Sequence, residues 1–297
     1  IGKAGEEETD VKALKQPLTQ IVTRHLHSVS PETPMPEVVA TMVNNHIDMV
    51  PVLADGDLMG ILTTDDILKL IMRVHKIGQL FKEEGKPQKR ARLIDLTSGE
   101  GSPNVGAFFS SAFKTVEDIM TDQPHCLDEG DDLAKAIQVM QKGIFRHLPV
   151  VDQKGRLRGI ISDRNVLRHL PPPVGQRPGQ PEGFRSRLFT VDPKDPSLKT
   201  SVISIMTSDV VHVLPGCSFY DAAKKMHDMR ISCLVVVDKA EKLCGVVTVT
   251  DVMRALLTAY GMGKRPQTHP ELAQPSPELE GQDQQEAEQQ HAVGKAG

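Results

Sequence analysis

The sequence predicts an α/β (α+β) fold built from three copies of one strand-helix-strand-strand-helix unit, each about sixty residues long. Three observations predict it. The first is a shared ending: Gly60-Ile61-Leu62-Thr63-Thr64-Asp65-Asp66, Gly159-Ile160-Ile161-Ser162-Asp163-Arg164-Asn165 and Gly245-Val246-Val247-Thr248-Val249-Thr250-Asp251. Each is a glycine, two branched or long apolar residues, a hydroxyl, two spacers and a carboxylate or its amide. The second is phase: Met120-Thr121 and Met206-Thr207 both lie 39 residues before their glycine, and Val22-Thr23 lies 38 before Gly60. The third is an order of apolar patterns common to all three copies.

A short strand-like run follows each threonine: Leu26 to Val29, His125 to Leu127 and Val210 to Leu214. An amphipathic helix comes next. Val38, Val39, Met42 and Val43 form its apolar stripe in repeat one, with Pro34 and Pro36 near the start, where a missing N–H costs least. Leu133, Ala136, Ile137 and Met140 form it in repeat two, and Phe219, Ala222, Ala223 and Met226 in repeat three, at the i, i+3, i+4, i+7 spacing of one helical face. Asp131 is the expected N-cap in repeat two, and Ser218 with Asp221 the expected capping box in repeat three. Then come continuous apolar strands, Met49–Leu53, Leu148–Val151 and Leu234–Val237, of a kind that suits burial on both faces. A turn, the glycine-bearing strand and a second helix complete each unit. One unit alone cannot bury its sheet, so the copies are expected to pair.

These units resemble the CBS domain family, above all in Ile119-Met120-Thr121, Arg146-His147-Leu148-Pro149-Val150-Val151 and Gly159-Ile160-Ile161-Ser162-Asp163-Arg164. The resemblance covers about 11–75, 115–170 and 200–260. It implies repeats that pack through their sheets into Bateman modules, with adenosine nucleotides (AMP, ADP or ATP, with or without Mg2+) in the clefts. It implies further that Asp66 and Asp251 hold ribose, and that Thr63 and Thr248 contact phosphate. The physical logic is that a vicinal diol offers two O–H donors to a carboxylate, and that a helix start favours an anion. Ser162 and Asn165 take those places in repeat two, where an amide accepts without charge and affinity falls about tenfold. Arg146 and His147 are implied to reach nucleotide phosphates, with Ile47-Asp48 and Ile231-Ser232 at this place in the other repeats. Thr121 and Thr207, from the Met-Thr starts, complete the implied site. A hydroxyl and a carboxylate at a helix start also suit a plain N-cap, and that alternative stays open.

The shared 39-residue phase points to repeat two pairing with repeat three. Repeat one then lacks a partner within the chain, and a homodimer through two copies of it is expected. Segments 1–10 and 261–297 are expected to be loose, with 76–114 a helix extension and connector and 171–199 a connector dense in proline and glycine. Phe108, Phe109 and Phe113 are expected to pin the first connector to a module surface. The start at Ile1 rather than Met is compatible with an upstream domain that the repeats would regulate.

Residues 265–297 hold two basic and six acidic residues, leaving 33 of each elsewhere. That balance argues against general nucleic-acid binding. No apolar run approaches the ~20 residues of a membrane span. Cys126, Cys217, Cys233 and Cys244 form no CxxC pair and read as thiols of a reducing cytoplasm. His25 and His27 lack the further ligands of a metal site. No catalytic constellation is visible, so a non-enzymatic regulatory module is expected. The rivals are a ligand-independent dimerisation module and a regulatory fragment of an enzyme or transporter.

Overall fold

The computed structural model describes residues 26–83, 113–143, 145–170, 191–192 and 194–262, with side chains of the first long helix described as far as residue 73. The expectations for 1–10, for the tail from 263, for most of both connectors, and for Phe108 and Phe109 lie outside these residues.

Repeat one comprises α1 (Met35–Asn45), β1 (Met49–Ala54), β2 (Asp57–Thr63) and α2 (Thr64–Glu83). Repeat two comprises β3 (Thr121–Asp122), β4 (Leu127–Asp128), α3 (Leu133–Lys142), β5 (His147–Val151), β6 (Leu157–Ser162) and α4 (Asp163–His169). Repeat three comprises α5 (Val202–Ile205), β7 (His212–Val213), α6 (Phe219–Met229), β8 (Cys233–Val237), β9 (Leu243–Thr248) and α7 (Val249–Ala259).

The helical stripes are buried as their spacing requires: Val38, Val39, Met42 and Val43 on α1, Leu133, Ala136, Ile137 and Met140 on α3, and Phe219, Ala222, Ala223 and Met226 on α6. The α3 cap differs from expectation by one residue. Asp132 accepts from the Lys135 N–H, whereas Asp131 accepts from the Asp128 N–H and ties the preceding turn. Ser218 caps α6 by accepting from the Asp221 N–H.

Each repeat has an antiparallel hairpin with the same irregularity. The register slips between Val52 and Leu53, between Val150 and Val151, and between Val236 and Val237, leaving Met59, Arg158 and Cys244 as the extra residues. The first hairpin closes on Asp55 (φ 52°) and Gly56 (φ 89°), the left-handed pair that a two-residue turn needs. A parallel strand or bridge flanks each hairpin: Val29 on Val52, β4 on β5 and β7 on β8.

Repeats two and three exchange their leading segments. β3 leaves repeat two and pairs antiparallel with β9, with Thr121 opposite Val246. Thr207 leaves repeat three and bridges Ile160 on β6 through both of its backbone groups. The cores follow the strands. Phe113, Val116, Ile119 and Met120 join the core of repeat three, while Leu198, Val202 and Ile205 join that of repeat two. The glycines that open the shared endings make this approach feasible. A Cβ on Gly245 would stand 2.8 Å from the Met120 sulfur, and one on Gly159 would collide with the Met206 sulfur.

Repeat one, expected to find its partner in a second chain, lays its helices on those of repeat three. α1 packs on α7 and α2 on α6, and the two repeats share one core. The apolar faces of both helix pairs decide this, because each would otherwise face water. Among the described residues, no strand or bridge pairs with β2 on the side away from β1.

Candidate functional site

The site residues sit where a strand runs into a helix. At the β9–α7 junction Asp251 Oδ2 accepts from the Thr248 N–H at 2.8 Å and from the Thr248 hydroxyl at 2.6 Å, and the Asp251 N–H reaches Thr248 Oγ1 at 3.3 Å. At β2–α2, Asp66 Oδ2 accepts from the Thr63 N–H at 3.0 Å and from its hydroxyl at 2.6 Å. At β6–α4, Asn165 Oδ1 accepts from the Ser162 N–H at 2.9 Å and from its hydroxyl at 2.5 Å. All three are reciprocal caps that satisfy N–H groups at a helix start. The hydroxyl proton, expected to be offered to a phosphate, is committed inside each box.

The second carboxylate oxygen distinguishes the three. Asp66 Oδ1 meets Lys69 Nζ at 3.2 Å, and Asp251 Oδ1 meets Arg254 Nη1 at 3.5 Å. In repeat two the corresponding atom is Asn165 Nδ2, which donates to the Ile205 carbonyl of the exchanged segment at 2.9 Å. The amide thus ties down the neighbouring repeat's chain, while the two carboxylates turn an oxygen toward a cation. The Thr63 hydroxyl holds the Asp66 carboxyl below its ordinary range. Asp251 is buried and Asp66 is half-buried.

The exchange makes two of these junctions composite. Thr121 faces Val246, two residues before Thr248, so Thr121, Thr248 and Asp251 gather at the end of β9. Thr207 faces Ile160, two residues before Ser162, and His147 pairs with Ser162 across the hairpin. Thr207, Ser162, Asn165, Arg146 and His147 therefore gather at the end of β6. Thr63 and Asp66 have Asp65 and Lys69 beside them, and Asp65 Oδ1 lies 2.5 Å from His227 Nδ1 of repeat three.

Arg146 faces carboxylates. Its Nε donates to Asp163 at 2.8 Å and its Nη1 to Asp48 of repeat one at 3.0 Å. Burial works against its charge, but these two acids outweigh the burial and raise its pKa. Hairpin register pairs Met49 with Thr63, His147 with Ser162 and Cys233 with Thr248. The counterparts of Arg146 are thus Asp48 and Ser232, one place later than the sequence alignment set them. Burial lowers the His147 pKa and favours the neutral ring.

Sequence reading missed Asp48 and Asp163 as partners of Arg146, and Lys69 and Arg254 as partners of the site carboxylates. Asp163 is buried, which no periodicity announces. A basic residue three positions after each site acid or amide (Lys69, Arg168, Arg254) was visible and marks one helical face.

The family model of the CBS domain matches residues 18–73, 116–172 and 202–258, more than half of the chain. The chain belongs to the CBS domain family. Its three CBS motifs are the three repeats described above. The chain is 32% identical over 155 residues to Uncharacterized protein MJ1426 of Methanocaldococcus jannaschii, covering 48% of this chain and 90% of that protein. It is 31% identical over 152 residues to the chloroplastic CBS domain-containing protein CBSX1 of Arabidopsis thaliana, covering 48% and 58%. It spans less than two thirds of several relatives it matches, among them 45% of Uncharacterized protein MJ1225 of the same archaeon. In fold it is similar to an uncharacterized conserved protein from Pyrococcus horikoshii, at 21% identity and a TM-score of 0.50, covering 79% of this chain and 80% of that one. Among the described residues no helix is long and apolar enough to cross a membrane, and no cluster of three metal-ligating side chains occurs.

Proposed function

We propose that this chain is a regulatory module that senses an adenosine nucleotide (AMP, ADP or ATP, or a related adenosyl ligand), with the CBS motif three junction as its strongest site. The observation that carries this reading is the Asp251 box. Its carboxylate is buried and preorganised by two bonds to Thr248, and its other oxygen faces Arg254 at the long distance of 3.5 Å. A ribose diol donating to Oδ1 would compete with that long Arg254 contact. Charge-assisted bonds of this kind contribute about 1.5–3 kcal/mol. Phosphate contacts would come from Thr121 and from backbone N–H groups at the α7 start, because the Thr248 hydroxyl is already engaged.

The Asp66 junction supplies the regulatory element. A nucleotide there would lie one residue from Asp65, which joins His227 of motif three. Ligand affinity would then differ with the packing of motif one on motif three, which is what coupling requires. Arg146 would serve a nucleotide only by releasing Asp48 or Asp163. Mg2+, if it accompanies ATP, would be held by the phosphates, and the regulated effector would be an upstream or separate domain in the cytoplasm.

The test is thermal unfolding with AMP, ADP and ATP. Binding raises the midpoint by mass action. Asp251→Asn is the informative variant, since Asn165 already builds the same cap with an amide oxygen. It is expected to keep the fold and lose most of the ligand-induced shift. No shift of the wild type with any adenosyl compound at millimolar concentration would reject the proposal. A second reading, a structural module indifferent to nucleotides, is favoured by the internal satisfaction of all three boxes.

A further inference from the structure

The backbone at the head of β5 is built alike in all three motifs. The Asp163 N–H donates to the Arg146 carbonyl at 2.9 Å, the Thr64 N–H to the Asp48 carbonyl at 3.0 Å and the Val249 N–H to the Ser232 carbonyl at 3.1 Å. Arg146, Asp48 and Ser232 are therefore one position in three versions: a cation, an anion and a neutral hydroxyl. Each lies one residue before the strand residue that pairs with the hydroxyl residue of its box, so the position adjoins the candidate site of its own motif.

Two of these equivalents meet. Arg146 Nη1 donates to Asp48 Oδ2 at 3.0 Å, from motif two to motif one, while Arg146 Nε donates to Asp163 at 2.8 Å. The two acids are not equal partners. Asp163 is 7% exposed, and its Oδ1 also accepts from the Arg164 N–H at 2.8 Å. Stripping the cation from a buried carboxylate is costly. The Asp48 side chain is 64% exposed, so water takes over when it lets go, and an ion pair this exposed contributes little. An anion that comes to Arg146 therefore displaces Asp48 and leaves Asp163 in place. Asp163, Arg146, Arg164 and Asp48 all act on the His147 ring, which puts two acids and two bases around the head of β5. Their charges cancel, and they cancel only because Asp48 is among them.

We infer that Asp48 is a specificity-determining residue: this carboxylate of motif one occupies the place of a ligand phosphate on Arg146, so the motif two junction accepts a nucleoside and disfavours its phosphates. The inference rests on the nucleotide reading above and names the part of the ligand that is refused. Carboxylate and phosphate compete for the same guanidinium fork. A like charge held beside the incoming group is a means of discrimination as effective as a missing contact. A phosphate that does win Arg146 breaks the Asp48 tie between motifs one and two, so by linkage the docking of motif one opposes phosphate binding at motif two.

The experiment is isothermal titration of the full chain with adenosine, ATP and inorganic tripolyphosphate. Asp48→Asn removes the charge and keeps the shape, and the Thr64 N–H bond goes to the Asp48 main chain, so the fold is expected to persist. This variant is expected to bind ATP and tripolyphosphate about tenfold more tightly than the wild type, with adenosine unchanged. Adding Arg146→Lys is expected to cancel the gain. A lysine has one compact head group, which would stay with buried Asp163 rather than bridge two anions. Unchanged ATP and tripolyphosphate affinities in Asp48→Asn, an equal gain for adenosine, or a gain that survives Arg146→Lys would each overturn the inference. A chain that binds no adenosyl compound, yet gains tripolyphosphate on Asp48→Asn, would overturn the nucleotide reading and uphold the role of Asp48.

Discussion

His147 is a half-buried ring whose pKa is lowered from its ordinary value of 6.5, chiefly by desolvation. A base with a depressed folded pKa binds fewer protons folded than unfolded. Stability therefore rises with pH between the folded value and 6.5, and is lost as pH falls through that window. Urea unfolding between pH 5 and 7 is expected to show this slope for the wild type, and His147→Gln to flatten it. Asp66 acts in the opposite range: its carboxyl is held low by Thr63, so its stabilisation is present above the unfolded carboxylate pKa and lost in acid. Thr248→Val removes the acceptor of the Asp251 N–H and is expected to cost about 1 kcal/mol, read in the same unfolding curves. The three boxes were legible as Thr63/Asp66, Ser162/Asn165 and Thr248/Asp251 because a cap is local and spaced by three. What sequence could not show is that the hydroxyl proton stays inside the box, or that Asn165 reaches Ile205, 40 residues away.

At the scale of elements, the helices and hairpins were readable because burial follows a period of 3.6 or continuous branched runs. Their partners were not, because a leader such as Met120-Thr121 reads the same whether it serves its own sheet or a neighbour's. The glycines hold the relevant clue. Gly245→Ala places a methyl 2.9 Å from the Thr121 carbonyl and 2.8 Å from the Met120 sulfur. Overpacking of this kind costs about 1–3 kcal/mol, and the loss is expected in the unfolding free energy of Gly245→Ala. Gly60→Ala, with nothing within 4 Å of the added methyl, is expected to leave the unfolding free energy unchanged.

At the scale of the whole molecule, motif one is fixed by helices and motif two by exchanged strands, both on motif three. Met42 on α1 is 1% exposed in the core shared with motif three. Met42→Ala is expected to destabilise by about 2–5 kcal/mol and to weaken nucleotide-induced shifts at Asp66 along with it. The helix-to-helix docking of motif one was not legible, since an apolar stripe such as Val38, Val39, Met42 and Val43 announces that it will be covered without saying by what. Its amphipathic pattern is equally suited to a partner in cis or in trans.

The reciprocal loan of strands between motifs two and three has a consequence for how this chain can be taken apart. A shortened chain that begins after Asp122 would rob motif three of its outermost strand, β3, and of Phe113, Val116, Ile119 and Met120 in its interior. One that stops before Val202 would leave motif two open at β6 in the same manner. Neither motif is a detachable piece, so recombination that shuffles these units must carry the two together, and melting should empty both in a single step.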